Sequence, residues 1–179
     1  SETVAALAQN LASTLPAGEL LPKAAILPWG KRKEGIAIPA DISFAVMGGN
    51  VNTVGGNFSG QMQLAGQIIS LGYLWNAIRV QGGAYGAGMV VRDTGLTACY
   101  SYRDPNGAGS VESYRNCAAF LRDLASKTSD FTGFIIGTVA NNSPLMTPKT
   151  KAQAGDNIYI RQITWEDRCR TRKELLSAT

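Results

Sequence analysis

The first pattern of apolar and polar positions along the chain predicts a helix. Apolar residues recur at three- and four-residue spacing over 3–15, which is typical of an amphipathic helix. The stripe consists of Val4, Leu7, Leu11 and Leu15. Pro16 is expected to end this helix, because proline cannot continue the hydrogen-bond ladder. Residues 16–40 are rich in Pro, Gly and Lys, which predicts a loop with a short extended piece at 23–27.

Three later stretches carry the alternation that is typical of strands. Residues 36–47 alternate in part, and one face is expected to be half buried. That face consists of Ile42, Phe44 and Val46. Strands are also predicted over 85–91 and 96–102, where the Asp93-Thr94-Gly95 turn between them indicates a hairpin.

Helical spacing fills most of the remaining chain. Two short helices are predicted over 61–71 and 73–80, with Gly72 as the break between them. A longer amphipathic helix follows the turn at 104–107. Its stripe consists of Val111, Tyr114, Ala118, Leu121 and Ala125. Another helix is predicted over 130–141, and two more are expected to begin after the capping residues Thr147 and Thr164.

These elements predict an α+β fold in which helices flank an antiparallel sheet, since the strict strand–helix alternation of a parallel sheet is absent. The 179 residues suit one domain, with a lead-in helix and loop over 1–35 and the core over 36–179. The chain stops directly after a predicted helix that carries Leu175 and Leu176. We therefore expect that the domain is truncated at this end.

Composition limits the chemistry that the chain can perform alone. It contains no His, which excludes a Ser-His-Asp triad, a Cys-His pair and any His-based zinc site. The three Cys, at 99, 117 and 169, form no CxxC pair and favour a reducing compartment. The glycine-rich loop over 48–60 lacks a GK[ST] motif, so a flexible connection is favoured over a phosphate site.

The net charge of +4 comes partly from two basic groups. One is at 31–33, and the other consists of Arg161, Arg168, Arg170, Arg172 and Lys173. We expect a loop tip and a solvated helix face there, although a surface that binds polyanions remains an alternative. No apolar run reaches the length of a membrane span. We therefore predict no nucleic-acid and no membrane partner.

The segment over 73–86 carries the most informative chemistry. Arg79 is expected at the end of a helix and Tyr85 at the start of a strand, with Gly82 and Gly83 allowing a sharp turn between them. A guanidinium and a phenol would then converge and could donate hydrogen bonds to a peptide carbonyl or to the negative charge that develops on it. From these residues alone, a helix-terminal Arg that meets the helix dipole and a Tyr that packs in the core are the favoured interpretation, because such pairs are common by chance.

Two linked motifs resemble one family. The string RVQGGAYGAG over 79–88 is followed by a strand and then by SYRDPN over 101–106, and a helix containing Tyr114 and AFLR at 119–122 comes next. This order resembles the pitrilysin/insulinase superfamily of zinc metallopeptidases, and within it the presequence-protease subfamily. The resemblance is sharp over 73–122 and weaker over about 40–178.

The resemblance implies a domain of the insulinase and mitochondrial-processing-peptidase type. In that family, the N-terminal half holds zinc and a general base in an HxxEH motif, and the C-terminal half contacts the peptide through an Arg and a Tyr. These map onto Arg79 and Tyr85 in the same RxxGGxY frame. This chain lacks HxxEH, so it is expected to bind no metal and to be inactive alone.

The expected function is therefore that of the C-terminal substrate-binding region of a zinc endopeptidase. Its expected partners are the N-terminal half of the same polypeptide and peptide substrates. The alternative is a non-catalytic scaffold or binding subunit of the same superfamily. The unpaired thiols favour the cytoplasm, and an organelle matrix fits equally if the source is eukaryotic.

Overall fold

The computed structural model of the chain describes residues 2–18 and 32–178. They fall into two compact units, Ser1–Ile38 and Pro39–Thr179. The first unit contains helix α1, Glu2–Thr14, which confirms the predicted N-terminal helix. The extended piece predicted at 23–27 lies outside the described residues. The assignment of 1–179 to one domain stays a prediction.

The second unit contains a three-stranded antiparallel sheet. Its strands are β1 (Ser43–Asn50), β2 (Gly86–Val91) and β3 (Leu96–Asp104), arranged in the order β1-β3-β2. The β2–β3 connection is the predicted hairpin: the Arg92 N–H donates to the Leu96 carbonyl at 2.8 Å. Gly95 occupies the left-handed region there, with φ of 86°, a conformation that glycine adopts without steric cost.

Helices make up most of the rest of this unit. A 3-10 turn, Val51–Val54, follows β1, and α2 (Gly60–Ile68) runs directly into a π-helix at Ile69–Val80. After the sheet come α3 (Gly107–Arg115), α4 (Cys117–Lys127), α5 (Thr132–Asn142), α6 (Pro148–Ile160) and α7 (Trp165–Leu176). The predicted α+β class is confirmed. Among the described residues, no helix is long and apolar enough to cross a membrane.

The core forms where one face of the sheet packs against the π-helix and the helices after β3. Leu74 and Ile78 of the π-helix are almost fully buried. The other members of this cluster are Ile69, Ala84, Ala87, Cys99, Tyr114 and Cys117. Burial of a large apolar side chain contributes roughly 1.5–3 kcal/mol, so this contact anchors the π-helix to the sheet.

The predicted buried face of the first strand is wrong. Phe44 and Val46 are 61% and 68% exposed, whereas Ala45 and Met47 on the opposite face pack against the core. An alternating pattern shows that a strand has two faces, but the helices that cover one of them decide which is buried. The strand also begins only at Ser43, after Pro39, which has no N–H for a sheet ladder.

The predicted break at Gly72 is also wrong, because the helix continues through it from α2 into the π-helix. A Cβ added at this position would lie 3.4 Å from the Phe120 ring and 3.6 Å from the Phe134 ring. Both distances are ordinary van der Waals contacts, so Gly72 lies beside two aromatic rings within a continuous helix. Sequence reasoning predicted the opposite because glycine more often ends a helix.

The single helix predicted around 111–125 is divided at Asn116 into α3 and α4. Tyr114 and Cys117 are its buried positions, while Ala118 and Ala125 are exposed. The remaining helix starts are confirmed. Thr147 caps α6, and Thr164 forms a reciprocal capping box with Asp167 at the start of α7.

Candidate substrate-binding site at the end of the π-helix

The backbone turn after the π-helix depends on two glycines. The Gly83 N–H donates to the Arg79 carbonyl at 3.1 Å, and the Ala84 N–H donates to the Ile78 carbonyl at 3.1 Å. Gly83 has a φ of +79°, and a Cβ at Gly82 would lie 2.6 Å from the Ile78 carbonyl oxygen. A side chain at either position would therefore strain the turn. Long π-helices are rare, and π-helical turns are frequent at functional sites.

Tyr85 is held on the far side of this turn. Its N–H donates to the carbonyl of Arg103 at 3.3 Å, which aligns it with the end of β3. The preceding residue, Ala84, is buried, and β2 begins at the following one, Gly86. The Tyr85 side chain itself is 60% exposed. Its backbone is therefore anchored while its ring and hydroxyl face solvent.

Arginine and aromatic side chains meet at this turn. The Arg79 Cζ lies 4.1 Å from the centroid of the Trp75 ring and 6.0 Å from the centroid of the Tyr85 ring. The Arg103 Cζ lies 5.8 Å from the Tyr85 ring centroid. We call these four residues, Trp75, Arg79, Tyr85 and Arg103, the arginine–aromatic cluster. All four side chains are exposed, so a ligand can reach them.

The Arg79 and Tyr85 donors of this cluster have no hydrogen-bond acceptor among the described residues. Within residues 2–18 and 32–178, the Arg79 guanidinium makes no ion pair and no hydrogen bond, and the Tyr85 hydroxyl has no hydrogen-bond partner. A guanidinium carries five N–H donors and a phenol carries one O–H. The cluster therefore presents positive charge and unused donors, which is the chemistry that recognises carbonyl oxygens and oxyanions.

A row of tyrosines extends the cluster across the exposed face of the sheet. The Tyr85 and Tyr102 ring centroids are 5.4 Å apart, and those of Tyr102 and Tyr100 are 6.4 Å apart. These rings cover Gly86 and Gly88 of β2: a Cβ at Gly86 would overlap the Tyr102 ring. Phe44 and Val46 of β1 stand opposite Tyr102 and Tyr100 in the register, so the same face carries a continuous apolar surface.

A buried carboxylate holds the end of β3 in place. Asp104 is 1% exposed and accepts three hydrogen bonds, from the Ser101 hydroxyl at 2.5 Å, the Ser110 hydroxyl at 2.6 Å and the Asn106 N–H at 2.8 Å. It thereby joins β3 to the first turn of α3. Arg103, directly before it, adopts a φ of 49°. This network fixes the backbone of the SYRDPN segment, including the Arg103 carbonyl that accepts from the Tyr85 N–H.

Titratable groups also line the buried face of the sheet. The Cys99 and Cys117 sulfurs lie 3.9 Å apart, and this contact lowers the pKa of Cys99 and raises that of Cys117. Burial raises the pKa of the Tyr114 hydroxyl to about 12. These groups lie in the hydrophobic core, so their role is packing.

The residues that the structure describes do not fit a zinc site. The sequence contains no His. In the part of the chain that the structure describes, no three Cys, Asp or Glu side chains are grouped so that they could hold a metal ion. The chemistry available at the arginine–aromatic cluster is therefore that of hydrogen-bond donors and a positive charge.

The structure brings together all four residues that the sequence singled out, namely Arg79, Gly82, Gly83 and Tyr85. Sequence reasoning missed Trp75 and Arg103. Trp75 had a usable signal, because it lies four residues before Arg79 and such pairs meet on a helix surface. No sequence pattern indicated Arg103, because its approach to Tyr85 depends on the pairing of two strand ends.

The second basic group is largely engaged within the protein. Arg161 pairs with Asp93 at 2.6 Å, and Arg170 pairs with Asp167 at 2.7 Å. Arg168 lies over the Trp165 ring at 5.5 Å. Of the first group, only residues 32 and 33 are described, and Arg32 pairs with Glu34 at 3.2 Å. The prediction of no nucleic-acid partner stays a prediction.

Comparison with known proteins places the chain in a family. A model of the PreP C-terminal domain matches residues 33–179. Among curated proteins, the chain is 34% identical to Protein HypA of Clostridium perfringens over 149 residues. This alignment covers 83% of this chain and 15% of that protein. The chain is 32% identical over 166 residues to Presequence protease 1, chloroplastic/mitochondrial, of Arabidopsis thaliana, covering 92% of this chain and 15% of that protein.

A third relative is the mitochondrial presequence protease of Emericella nidulans, which is 32% identical over 122 residues. This alignment covers 68% of this chain and 11% of that protein. The chain thus spans about one seventh or less of the length of these relatives. The matched residues, 33–179, include the whole arginine–aromatic cluster and the SYRDPN motif. The chain belongs to the PreP C-terminal domain family, which confirms the resemblance to the presequence-protease group of the pitrilysin superfamily.

Proposed function

We propose that this chain is the substrate-binding region of a zinc-dependent peptidase, in which Arg79 and Tyr85 donate hydrogen bonds to the substrate backbone near the scissile bond. The observation that carries this proposal is the convergence of two exposed donor groups, without partners among the described residues, across the Gly82-Gly83 turn. Relatives over most of this chain are named presequence proteases, which supports a peptide as the ligand.

The two donors suit the transition state better than the ground state. A peptide carbonyl carries partial negative charge, and this becomes a full charge when a nucleophile adds and a tetrahedral oxyanion forms. A positively charged fork and a phenol O–H stabilise the full charge more strongly than the partial one, which accelerates the reaction. Because neither group must first break a bond within the described protein, little reorganisation is required.

The other parts of the reaction lie outside this chain under this proposal. The N-terminal half of the same polypeptide supplies the zinc ion and the general base, and this chain alone does not hydrolyse peptides. For a eukaryotic source we propose an organelle matrix, since two relatives are named mitochondrial or chloroplastic. Otherwise we propose the cytoplasm.

The test measures kcat/KM on a quenched fluorogenic peptide with the zinc-loaded intact polypeptide and its Arg79→Ala and Tyr85→Phe variants. Loss of one oxyanion donor typically lowers the rate by about 10²–10³-fold, and we expect at least a tenfold loss for each variant. Matched controls are Arg122→Ala and Tyr159→Phe, which alter exposed residues on α4 and α6. Both controls are expected to retain full activity.

Three outcomes separate the alternatives. A loss confined to Arg79→Ala and Tyr85→Phe, with unchanged stability and zinc content, supports the proposal. An active parent that tolerates both substitutions refutes the roles of these residues but leaves the family unaffected. A zinc-loaded parent that cleaves no peptide, or a parent without an HxxEH motif, favours the non-catalytic scaffold of the same superfamily.

A further inference from the structure

We propose that Trp75 is a positioning residue, which orients the Arg79 guanidinium toward the substrate without occupying the N–H donors of that guanidinium. This inference rests on the proposed function of Arg79. The two residues are four positions apart on the π-helix, and the Arg79 Cζ lies 4.1 Å from the centroid of the Trp75 ring. This is the shortest separation between an arginine and a ring in the described residues.

An arginine side chain can be held in place in two ways, which differ in how many of its N–H donors stay free. A carboxylate partner occupies N–H groups and neutralises the charge, as Asp167 does for Arg170 at 2.7 Å and Asp93 does for Arg161 at 2.6 Å. An aromatic ring instead contacts the flat face of the guanidinium, and the N–H groups point outward in the plane. Trp75 contacts Arg79 in the second way, and none of the five N–H groups is engaged by another group in the described residues.

The surroundings reinforce this arrangement. Tyr85 lies on the other side of the turn, with its ring centroid 6.0 Å from the Arg79 Cζ. In the described part of the chain, no carboxylate lies within ion-pair distance of Arg79, and Arg103 adds a second positive charge beside Tyr85. Without the Trp75 face, the Arg79 side chain would keep only the more distant contact with the Tyr85 ring. Long arginine side chains have many rotamers, so its position would be less well defined.

The distinguishing experiment is a double-mutant cycle on kcat and KM in the zinc-loaded intact polypeptide. The variants are Trp75→Leu, Arg79→Ala and the combination of both. An exposed cation–π contact accounts for about a 2- to 5-fold change, and misplacement of a binding group adds to it. We therefore expect Trp75→Leu to lower kcat/KM by roughly 5- to 20-fold, mainly through kcat, and to have less than about a twofold effect once Arg79 is Ala.

A conservative variant and a matched control separate positioning from structural support. Trp75→Phe retains an aromatic face and is expected to recover most of the activity, which also keeps the test available if Trp75→Leu folds poorly. Trp165→Leu removes another exposed tryptophan that lies against an arginine, Arg168 at 5.5 Å. It is expected to leave kcat/KM unchanged, because α7 carries no member of the arginine–aromatic cluster.

The outcomes distinguish this inference from the proposed function. If Trp75→Leu lowers kcat/KM equally with and without Arg79, or if Trp75→Phe is as impaired as Trp75→Leu, Trp75 does not act through Arg79. If Arg79→Ala lowers kcat/KM and Trp75→Leu does not, the positioning role is overturned while the proposed function stands. If Arg79→Ala itself has no effect, the proposed function fails, and this inference fails with it.

Discussion

The hydrogen-bond network around Asp104 gives the strongest prediction for stability. Asp104→Ala removes a 1% exposed carboxylate that accepts from Ser101, Ser110 and the Asn106 N–H. Two nearly buried serine hydroxyls are then left without an acceptor, at about 1–3 kcal/mol each. We expect the free energy of unfolding to fall by about 2–6 kcal/mol, which is the sum for the two hydroxyls.

The assay is urea unfolding of this chain followed by circular dichroism, with the free energy extrapolated at constant slope. Asp104→Asn is expected to lose only about 1–2 kcal/mol, because its amide still accepts one bond and a serine hydroxyl can rotate to accept another. The control is Asp123→Ala on α4, whose exposed pair with Lys127 contributes about 0.5 kcal/mol or less. A loss below about 1 kcal/mol for Asp104→Ala would refute the reasoning.

Two further predictions concern the two faces of the sheet. Gly86→Ala is expected to lower stability and displace Tyr102 from Tyr85, because the new Cβ would overlap the Tyr102 ring. Gly49→Ala, with nothing within 4 Å of its Cβ, should be tolerated in the same urea unfolding experiment. Burial raises the pKa of Tyr114 to about 12 in the folded state, above its usual value of 10.0. Its contribution is therefore complete below pH 10 and is lost as the pH rises to about 12. This amounts to about 3 kcal/mol, and Tyr114→Phe should remove that part of the pH dependence.

Local chemistry explains which features the sequence could predict. Both N-caps, the Asp93-Thr94-Gly95 hairpin and the Gly82-Gly83 turn depend on residues within a few positions of one another, and all are present. The motif RxxGGxY likewise placed Arg79 and Tyr85 on the two sides of one turn. No zinc site was predicted from a chain without His, because that limit follows from composition alone.

Features that depend on contacts between distant segments were the ones that sequence reasoning missed. The sequence predicts a helix break at Gly72, whereas in the structure the helix continues and the rings of Phe120 and Phe134 pack beside this residue. The burial of Ala45 in place of Phe44 depends on which face the later helices cover. The approach of Arg103 to Tyr85 required two strands to pair at their ends.

The sequence by itself determined the α+β class, the family and the two donors, because periodicity, turn chemistry and a linked motif are local properties of the chain. Only the tertiary structure decided the environment of those donors. It placed Trp75 against Arg79, left the Arg79 and Tyr85 donors without partners in the described residues, and buried Asp104 at the end of the strand that positions Tyr85. The physical reason is that burial, stacking and the pairing of charges depend on distances between segments, and only the packed chain defines those distances.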